Sequence, residues 1–269
     1  MPVDHYENFP VASLLLPARL RRPVEIIYAF ARSADDFADE GDFPDSERLG
    51  RLGGYVAELD RIGRGEASRL PLFHQVAEII SRHALPISLF YDLLDAFTQD
   101  VTKKRYADFS EALDYCRRSA NPIGRLLLHL YNAATPLNLA HADSICSALQ
   151  LINFWQDIEA DYARNRIYLP QDEMTAHGIT EADIASRNFS PEWSKLIQFQ
   201  CQRARTMLEN GRPLTRTLPG RIGLELRFVV AGGGRILDKI DAVSGDVFRH
   251  RPVLTRWDWL ALAPGALIA

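Results

Sequence analysis

Two pairs of aspartates stand out, because each pair interrupts an apolar stretch at a spacing of four residues. Asp35 and Asp39 lie in "YAFARSADDFADE", and Asp157 and Asp161 lie in "NFWQDIEADYARNR". In an α-helix, residues four apart share one face and are about 6 Å apart along the axis, so both carboxylates of a pair can reach one cavity. Burying such like charges is costly unless cations compensate them. The pattern therefore predicts a cation site.

The ligand chemistry of these pairs favours a hard divalent ion. Mg²⁺ typically takes one or two carboxylates, several waters and phosphate oxygens. Asn153 lies one turn before Asp157 on the same helical face and adds a neutral oxygen. For each residue taken singly, a solvated acidic face or a packing amide is the alternative. The predicted metal ligands are Asp35, Asp39, Asn153, Asp157 and Asp161.

Arginines flank both pairs. Arg32 lies three residues before Asp35, and Arg164 and Arg166 follow Asp161 closely. Guanidinium groups bind phosphate oxygens bidentately, although ordinary ion pairing with the same aspartates is the alternative. Metal ions and arginines together would stabilise charge on a leaving diphosphate, while apolar walls shelter a carbocation from water. The predicted chemistry is therefore ionisation of an organic diphosphate.

The elements that position these residues are predicted to be helices. Apolar residues recur with a period near 3.6, and alternating runs typical of strands are almost absent, so we expect an all-α fold. Short connections and the lack of a linker predict one domain over residues 1–269. Helices are expected near 24–40 (with Pro23 in the first turn), 45–63, 71–83, 87–103, 109–133, 142–164, 190–210 and 219–243.

Composition excludes several classes of function. A net charge of −4 and a pI near 6.0 argue against nucleic acid as a partner. The three cysteines form no CxxC pair, so neither a zinc site nor a disulfide framework is predicted. The first residues, "MPVDHYENFP", lack a basic segment followed by an apolar core, and no apolar run reaches about 18 residues. We therefore expect a cytoplasmic protein whose membrane contact is at most peripheral, at the inner face.

The two acidic stretches resemble the Asp-rich motifs of the squalene and phytoene synthases, which join isoprenyl diphosphates head to head. The second stretch, "LQLINFWQDIEADYARNRIYLP", carries the family's order of Gln, Asn, Asp, Asp, Arg and Tyr. The resemblance covers nearly the whole chain and implies an isoprenoid synthase fold, with helices around a central cavity, and Mg²⁺ as cofactor. It implies a small-molecule isoprenoid diphosphate substrate, bound by His5, Tyr28, Arg32, Asn121, Gln150, Arg164, Arg166 and Tyr168.

Three further stretches resemble the hydroxysqualene synthases of bacterial hopanoid biosynthesis: "HYENFPVASLLLP", "YCRRSANPIGRLLL" and "GGGRILDKIDAVSGDVFRHRPVL". This branch implies ionisation of presqualene diphosphate and capture of the rearranged cation by water. Gln156 stands where many relatives have Arg, and it joins the four aspartates as an expected catalytic residue. Gln156, Asn121 or Asn8 would hold the water, with structural hydrogen bonding as the alternative.

The resemblance leaves other functions open. Presqualene diphosphate, squalene and phytoene synthases, which use farnesyl or geranylgeranyl diphosphate, are alternatives within the family. A non-catalytic assembly protein of the same fold is a remote one, since it would be expected to lose its aspartate pairs. No nicotinamide cofactor is expected, because no GxGxxG segment follows a predicted strand. Transient membrane contact and handover to neighbouring squalene-pathway enzymes are further expectations.

Two features near the C-terminus have alternative explanations. The glycines at 232–234 lie inside a predicted helix, where each costs about 1 kcal/mol relative to alanine. They either let the helix approach the substrate closely or mark a break. Arg249 and Arg251 are either diphosphate ligands or surface charges, and we expect surface charges.

Overall fold

The chain is described by a computed structural model over residues 16–268, with side chains to residue 266. Within this range the structure is helical, with an isolated parallel β-bridge between Arg105 and Ile167. The all-α prediction is confirmed. The helices are α1 (Ala18–Asp39), α2 (Asp45–Gly63), α3 (Pro71–His83), α4 (Ser88–Thr102), α5 (Phe109–Ser119), α6 (Asn121–Leu130), α7 (Pro136–Gln156), α8 (Ile158–Ala163), α9 (Gln171–Ala176), α10 (Glu181–Ala185), α11 (Pro191–Gly211), α12 (Leu214–Thr217), α13 (Gly220–Ala242) and α14 (Arg256–Ile268).

The first helix begins earlier than the sequence predicts. It starts at Ala18, so Pro23 lies in its second turn and not in its first. Proline cannot donate the backbone hydrogen bond that this position would normally make. Leu16 and Leu20 are buried, and packing of this extra turn offsets the lost hydrogen bond.

Two predicted long helices are each divided in the structure. The helix expected at 109–133 is broken at Ala120, because Pro122 in the first turn of α6 cannot donate to the preceding turn. The helix expected at 142–164 is broken at Asp157, whose φ of −109° and ψ of 16° are not helical. The Asp157 carbonyl still accepts a hydrogen bond from the Asp161 amide at 2.8 Å. The second aspartate pair therefore spans a helix junction.

Four helices were not predicted from the sequence. Three of them, α9, α10 and α12, have four to six residues, too few to show a periodic pattern. The fourth, α14, is apolar on most sides and contains Pro264 and Gly265, so its period is weak. Within residues 16–268 no helix is both long and apolar enough to cross a membrane.

The buried side chains form two hydrophobic clusters. One lies among α1 to α4 and α6, where the ring of Phe30 meets those of Phe73 and Phe90 edge-on at centroid distances of 5.6 Å and 5.2 Å. The other lies among α5, α7, α11 and α13, and includes the fully buried Trp155. Tyr131 packs against both clusters. The second Asp motif thus belongs to one cluster and the first to the other. The single domain stays a prediction.

The glycines at 232–234 do not break α13, so that alternative is wrong. A Cβ atom on Gly233 would lie 2.9 Å from Cδ2 of Leu149 and 3.3 Å from Cδ1 of Leu208. Contacts this short are tighter than ordinary packing allows. Gly233 therefore lets α13 approach α7 and α11 closely. At Gly234 a Cβ atom would meet nothing within 4 Å.

Candidate active site

The loop between α8 and α9 is fixed to the segment that follows α4. The Ile167 amide donates a hydrogen bond to the Lys104 carbonyl at 3.0 Å. The Arg105 guanidinium donates to the Asn165 carbonyl at 2.6 Å. These bonds hold the backbone on both sides of Arg166, so they set the direction in which its side chain leaves the loop.

The two Asp motifs meet through this loop. Nη1 of Arg166 donates to Oδ2 of Asp39 at 3.1 Å, and its Nη2 donates to Oδ1, although the two residues are 127 positions apart. Nη1 of Arg164 donates to Oδ2 of the same carboxylate at 3.2 Å. The side chains of Asp39 and Arg166 are only 13% and 10% exposed, so this pair is partly shielded from solvent. The structure thus brings together three of the predicted site residues.

The rest of the first motif carries charge that its neighbours only partly compensate. Arg32 contacts Asp35 at 3.3 Å and Asp36 at 2.7 Å. Burial and then repulsion from Asp39 raise the pKa of Asp35 to about 7, although Arg32 acts to lower it. A carboxyl with such a pKa loses its proton readily when a cation approaches.

The pKa of Asp161, in the second motif, is raised in the same way. Burial and then the charge of Asp157 raise the pKa of Asp161 to about 7, while Arg166 and Arg164 act to lower it. Asp39 also contributes to the increase. The repulsion on Asp161 thus comes mainly from within its own motif and to a smaller extent from Asp39 of the first motif, and a bound cation would relieve both.

Asp157 is held by an arginine from the C-terminal part of the chain. Nε of Arg251 donates to Oδ1 of Asp157 at 2.5 Å, and Nη2 donates to Oδ2 at 3.2 Å. The Arg251 side chain is 37% exposed, as expected for a surface charge, but it also makes a contact that the sequence did not predict, because the segment after α13 returns to the end of α7. Arg249, whose side chain is 70% exposed and 3.6 Å from Asp246, is a surface charge as expected.

A further acidic side chain next to the two motifs was not predicted from the sequence. Asp100 of α4 is 4% exposed, and it accepts hydrogen bonds from the hydroxyls of Tyr115 at 2.8 Å and Tyr168 at 3.4 Å. Burial raises the pKa of Asp100 to about 6, while Arg166 and Tyr115 act to lower it. The sequence could have indicated Asp100, because it lies one turn after Phe97 on the apolar face of the helix, where an aspartate is rare.

Aromatic rings lie beside these charges. The ring of Tyr168 stacks on Phe154 with centroids 3.7 Å apart and an interplanar angle of 3°. Tyr106 and Tyr115 lie 5.4 Å and 5.6 Å from Tyr168. A small cavity adjoins this group and is lined by Phe154, Ile158, Asp161, Arg166, Ile167, Tyr168 and Leu169. Ring faces in such a setting attract a positive charge.

The two amides expected to hold water have protein partners. Nε2 of the buried Gln156 donates to the Pro252 carbonyl at 2.7 Å. Oδ1 of the buried Asn121 accepts from the Ser147 hydroxyl at 2.9 Å, which links α6 to α7. These contacts support the structural alternative for both residues.

Three other predicted site residues lie on α7 and α1. Gln150 and Asn153 are half-buried on α7, and Asn153 lies one turn before the helix ends. Tyr28 is half-buried on α1, one turn before the arginine of the first motif. His5 and Asn8 lie outside the described residues.

The side chains of the site determine which kind of metal site they could form. Among the side chains described, no three of His, Cys, Asp or Glu lie close enough to hold an ion by themselves. Arginines pair with Asp39 and Asp157, one from each motif. The residues therefore fit an ion that arrives with phosphate oxygens as further ligands, which is how Mg²⁺ is commonly bound. They do not fit a permanent metal site made of protein ligands alone.

The chain is similar to proteins of one known family. Residues 3–258 match the family model for squalene/phytoene synthase. A hydroxysqualene synthase from Rhodopseudomonas palustris is 37% identical over 233 residues, covering 86% of this chain and 78% of the relative. One from Sinorhizobium fredii is 31% identical over 263 residues, covering 97% and 88%.

Solved structures show the same fold. A squalene synthase from Alicyclobacillus acidocaldarius superimposes with a TM-score of 0.82 at 35% identity, covering 89% of this chain and 90% of that one. A dehydrosqualene synthase in complex with a ligand gives 0.83 at 20% identity, covering 94% and 88%. The second likeness concerns the fold alone.

Proposed function

The chain belongs to the squalene/phytoene synthase family, and from this premise we propose that it is a hydroxysqualene synthase. In this reaction the C–O bond of presqualene diphosphate breaks, diphosphate leaves, the cyclopropylcarbinyl cation rearranges, and water adds to give hydroxysqualene. The observation that carries the ionisation step is the convergence of Asp39 with Arg164 and Arg166. The relatives named hydroxysqualene synthase support the hydration step.

We propose that the two motifs bind the diphosphate from opposite sides. Asp35, Asp39, Asn153, Asp157 and Asp161 are the proposed ligands of Mg²⁺, which would supply Lewis-acid stabilisation of the leaving group. Arg32, Arg164, Arg166 and Arg251 are the proposed phosphate ligands. Each of these arginines already binds a carboxylate in the structure. When diphosphate enters, its oxygens replace the carboxylates as acceptors, and the guanidinium groups keep charged hydrogen bonds.

The same geometry supports a sheltered cation. Phe154 and Tyr168 present stacked rings next to the carboxylate of Asp161. Ring faces stabilise a nearby cation, and apolar walls limit the entry of water. His5, Tyr28, Asn121 and Gln150 are the remaining substrate contacts that we propose on the family resemblance.

The hydration step requires one water near the cation. A carbocation reacts with neutral water, and the resulting oxonium ion passes its proton to a carboxylate or to diphosphate. Gln156 is proposed to act indirectly, because its bond to Pro252 holds the segment that presents Arg251 to Asp157.

Product analysis tests the proposal. The purified chain with presqualene diphosphate and Mg²⁺, but without reductant, is expected to give hydroxysqualene and free diphosphate, and chelation with EDTA is expected to stop the reaction. Efficient conversion of farnesyl diphosphate to presqualene diphosphate would contradict the assignment. The likeness to the Alicyclobacillus squalene synthase favours reductive squalene formation as a second candidate. Squalene that forms only when NADPH is added would support that candidate.

A matched pair of arginine variants tests the diphosphate site. Arg164 is 60% exposed and pairs with Asp39, whereas Arg187 is 63% exposed and pairs with Glu159 outside the site. A hydrogen bond to a charged group contributes about 1.5–3 kcal/mol, so Arg164→Gln is expected to lower kcat/KM roughly 10- to 100-fold. Arg187→Gln should leave kcat/KM unchanged. Equal effects of the two substitutions would remove Arg164 from the phosphate ligands.

A further inference from the structure

The last helix, α14, turns an apolar side away from the protein. Trp257 is 73% exposed and Leu260 is 63% exposed. Ala261 and Pro264 are also exposed. These four residues follow the spacing i, i+3, i+4 and i+7, so they share one face of the helix. We call them the outer face of α14.

The opposite side of α14 is held by a polar network. Asp258 is 4% exposed and accepts from Nε of Arg235 at 2.8 Å and from Nζ of Lys239 at 2.5 Å. The Thr255 amide donates to the same carboxylate at 2.7 Å and fixes the start of the helix. A surface helix normally turns its apolar side inward and its charges outward. On α14 the inner side holds this acid together with Trp259, which packs against Phe228, while Trp257 and Leu260 point outward. Packing among residues 16–266 therefore does not account for the outer face.

The charges next to the outer face are positive. Arg235 and Lys239 of α13 share a single carboxylate, that of Asp258 on α14, which leaves a net positive charge there. Arg256 at the start of α14 is exposed, whereas Arg249 faces Asp246 and Arg251 binds Asp157. On α13, Asp238 and Asp241 pair with Arg205 of α11 and not with α14. The chain as a whole has a net charge of −4, so this local positive charge runs against the overall balance.

We propose that the outer face of α14 docks on an anionic lipid bilayer. A helix with Trp and Leu on one face and arginines beside it lies in the membrane interface, where apolar burial and attraction to anionic lipid add together. The charge of the patch complements such a surface, and the partner to which we commit is therefore lipid.

Docking at α14 would also place the candidate active site at the membrane. Arg251 lies five residues before the helix begins and binds Asp157 of the second motif. A bilayer on α14 therefore lies close to the segment that closes onto the site. The substrate and the product, which both carry long isoprenoid chains, would then enter and leave through lipid. This last step rests on the proposed function, whereas the docking surface does not.

Vesicle sedimentation of the full chain, without substrate, tests the docking surface. Wild-type protein is expected to sediment with vesicles of mixed phosphatidylglycerol and phosphatidylcholine, and less with phosphatidylcholine alone. The double variant Trp257→Ser, Leu260→Ser should bind the anionic vesicles at least about tenfold more weakly, because two large apolar side chains are lost. Arg256→Glu should weaken binding at least about fivefold and reduce its dependence on salt. Leu137→Ser is the matched control, since Leu137 is 66% exposed on α7, and it should not change binding.

Three results would overturn the proposal. Equal vesicle binding by the wild type and the double variant would exclude the outer face. If light scattering shows that the wild type is a dimer and the double variant a monomer, and if the wild type does not sediment with vesicles, the outer face binds a second copy of the chain. The fluorescence of Trp257 can be obtained as the difference between the wild type and Trp257→Phe. If this fluorescence is shielded from a soluble quencher in the lipid-free monomer, the outer face is covered by another segment of the chain. Retained turnover of detergent-dispersed substrate by the double variant separates docking from catalysis.

Discussion

Replacing Asp161 by asparagine is expected to stabilise the metal-free protein at pH 8 while it impairs catalysis. The pKa of Asp161 is raised from 3.8 to about 7 by burial and by Asp157. Between these two values the folded state binds more protons than the unfolded state, so stability falls as the pH rises from about 4 to about 7 and is level above that. The wild-type carboxylate therefore destabilises the fold at pH 8, and asparagine removes that charge.

The size of the effect follows from the shift. At 1.36 kcal/mol per pKa unit, a shift from 3.8 to about 7 sets a ceiling of about 4 kcal/mol. Asp161 is only half-buried, and screening by solvent reduces the expected gain to about 1–2 kcal/mol. For a chain of this size the gain corresponds to an increase in Tm of roughly 2–6 °C.

Thermal unfolding in EDTA at pH 8 and pH 4 measures this gain. Asp161→Asn should unfold at a higher temperature than wild type at pH 8, and the difference should nearly vanish at pH 4. Asp258→Asn is a control of opposite sign: although burial raises its pKa, hydrogen bonds from Lys239, Thr255 and Arg235 hold the pKa of Asp258 well below its usual range. That variant should lose stability at pH 8. If Asp161→Asn does not raise the unfolding temperature at pH 8, or raises it equally at both pH values, the charge-repulsion argument is refuted.

Two further predictions concern packing and the buried acid. Gly233→Val should lower the free energy of unfolding by about 1–3 kcal/mol, because even a Cβ there lies 2.9 Å from a leucine methyl. Gly234→Ala should raise it by about 0.5–1 kcal/mol, and urea unfolding that gives both variants the same sign would contradict the packing described. Tyr115→Phe should cost about 1–3 kcal/mol by removing a donor at 2.8 Å from buried Asp100. Tyr91→Phe, at an exposed contact, should cost less than half as much in the same assay.

Local patterns were sufficient to predict much of the fold. The helices α2, α3 and α13 lie within a residue or so of the sequence-based bounds, because their apolar period is strong and their ends carry Pro or Gly. The break before α6 was also available from Pro122, a residue that rarely continues a helix. The break at Asp157 has no Pro or Gly next to it, so no local rule indicates it.

The candidate site was only partly predictable, because long-range contacts complete it. The aspartate pairs were visible as charges in apolar helices. The bond between Arg251 and Asp157 depends on a chain reversal after α13, which spacing along the sequence does not encode. Asp100 reaches the site because α4 packs beside α1 and α5, and Tyr115 then supplies its hydrogen bond.

The origin of the product's oxygen tests the central claim most directly. Presqualene diphosphate should be turned over with Mg²⁺ in water enriched in ¹⁸O, and the alcohol product analysed by mass spectrometry. Ionisation followed by water capture predicts that the product's oxygen carries the same fraction of ¹⁸O as the water, and Asp157→Ala should form no product. An alcohol that keeps the ¹⁶O of the diphosphate ester would show cleavage of the P–O bond and would contradict the proposed mechanism.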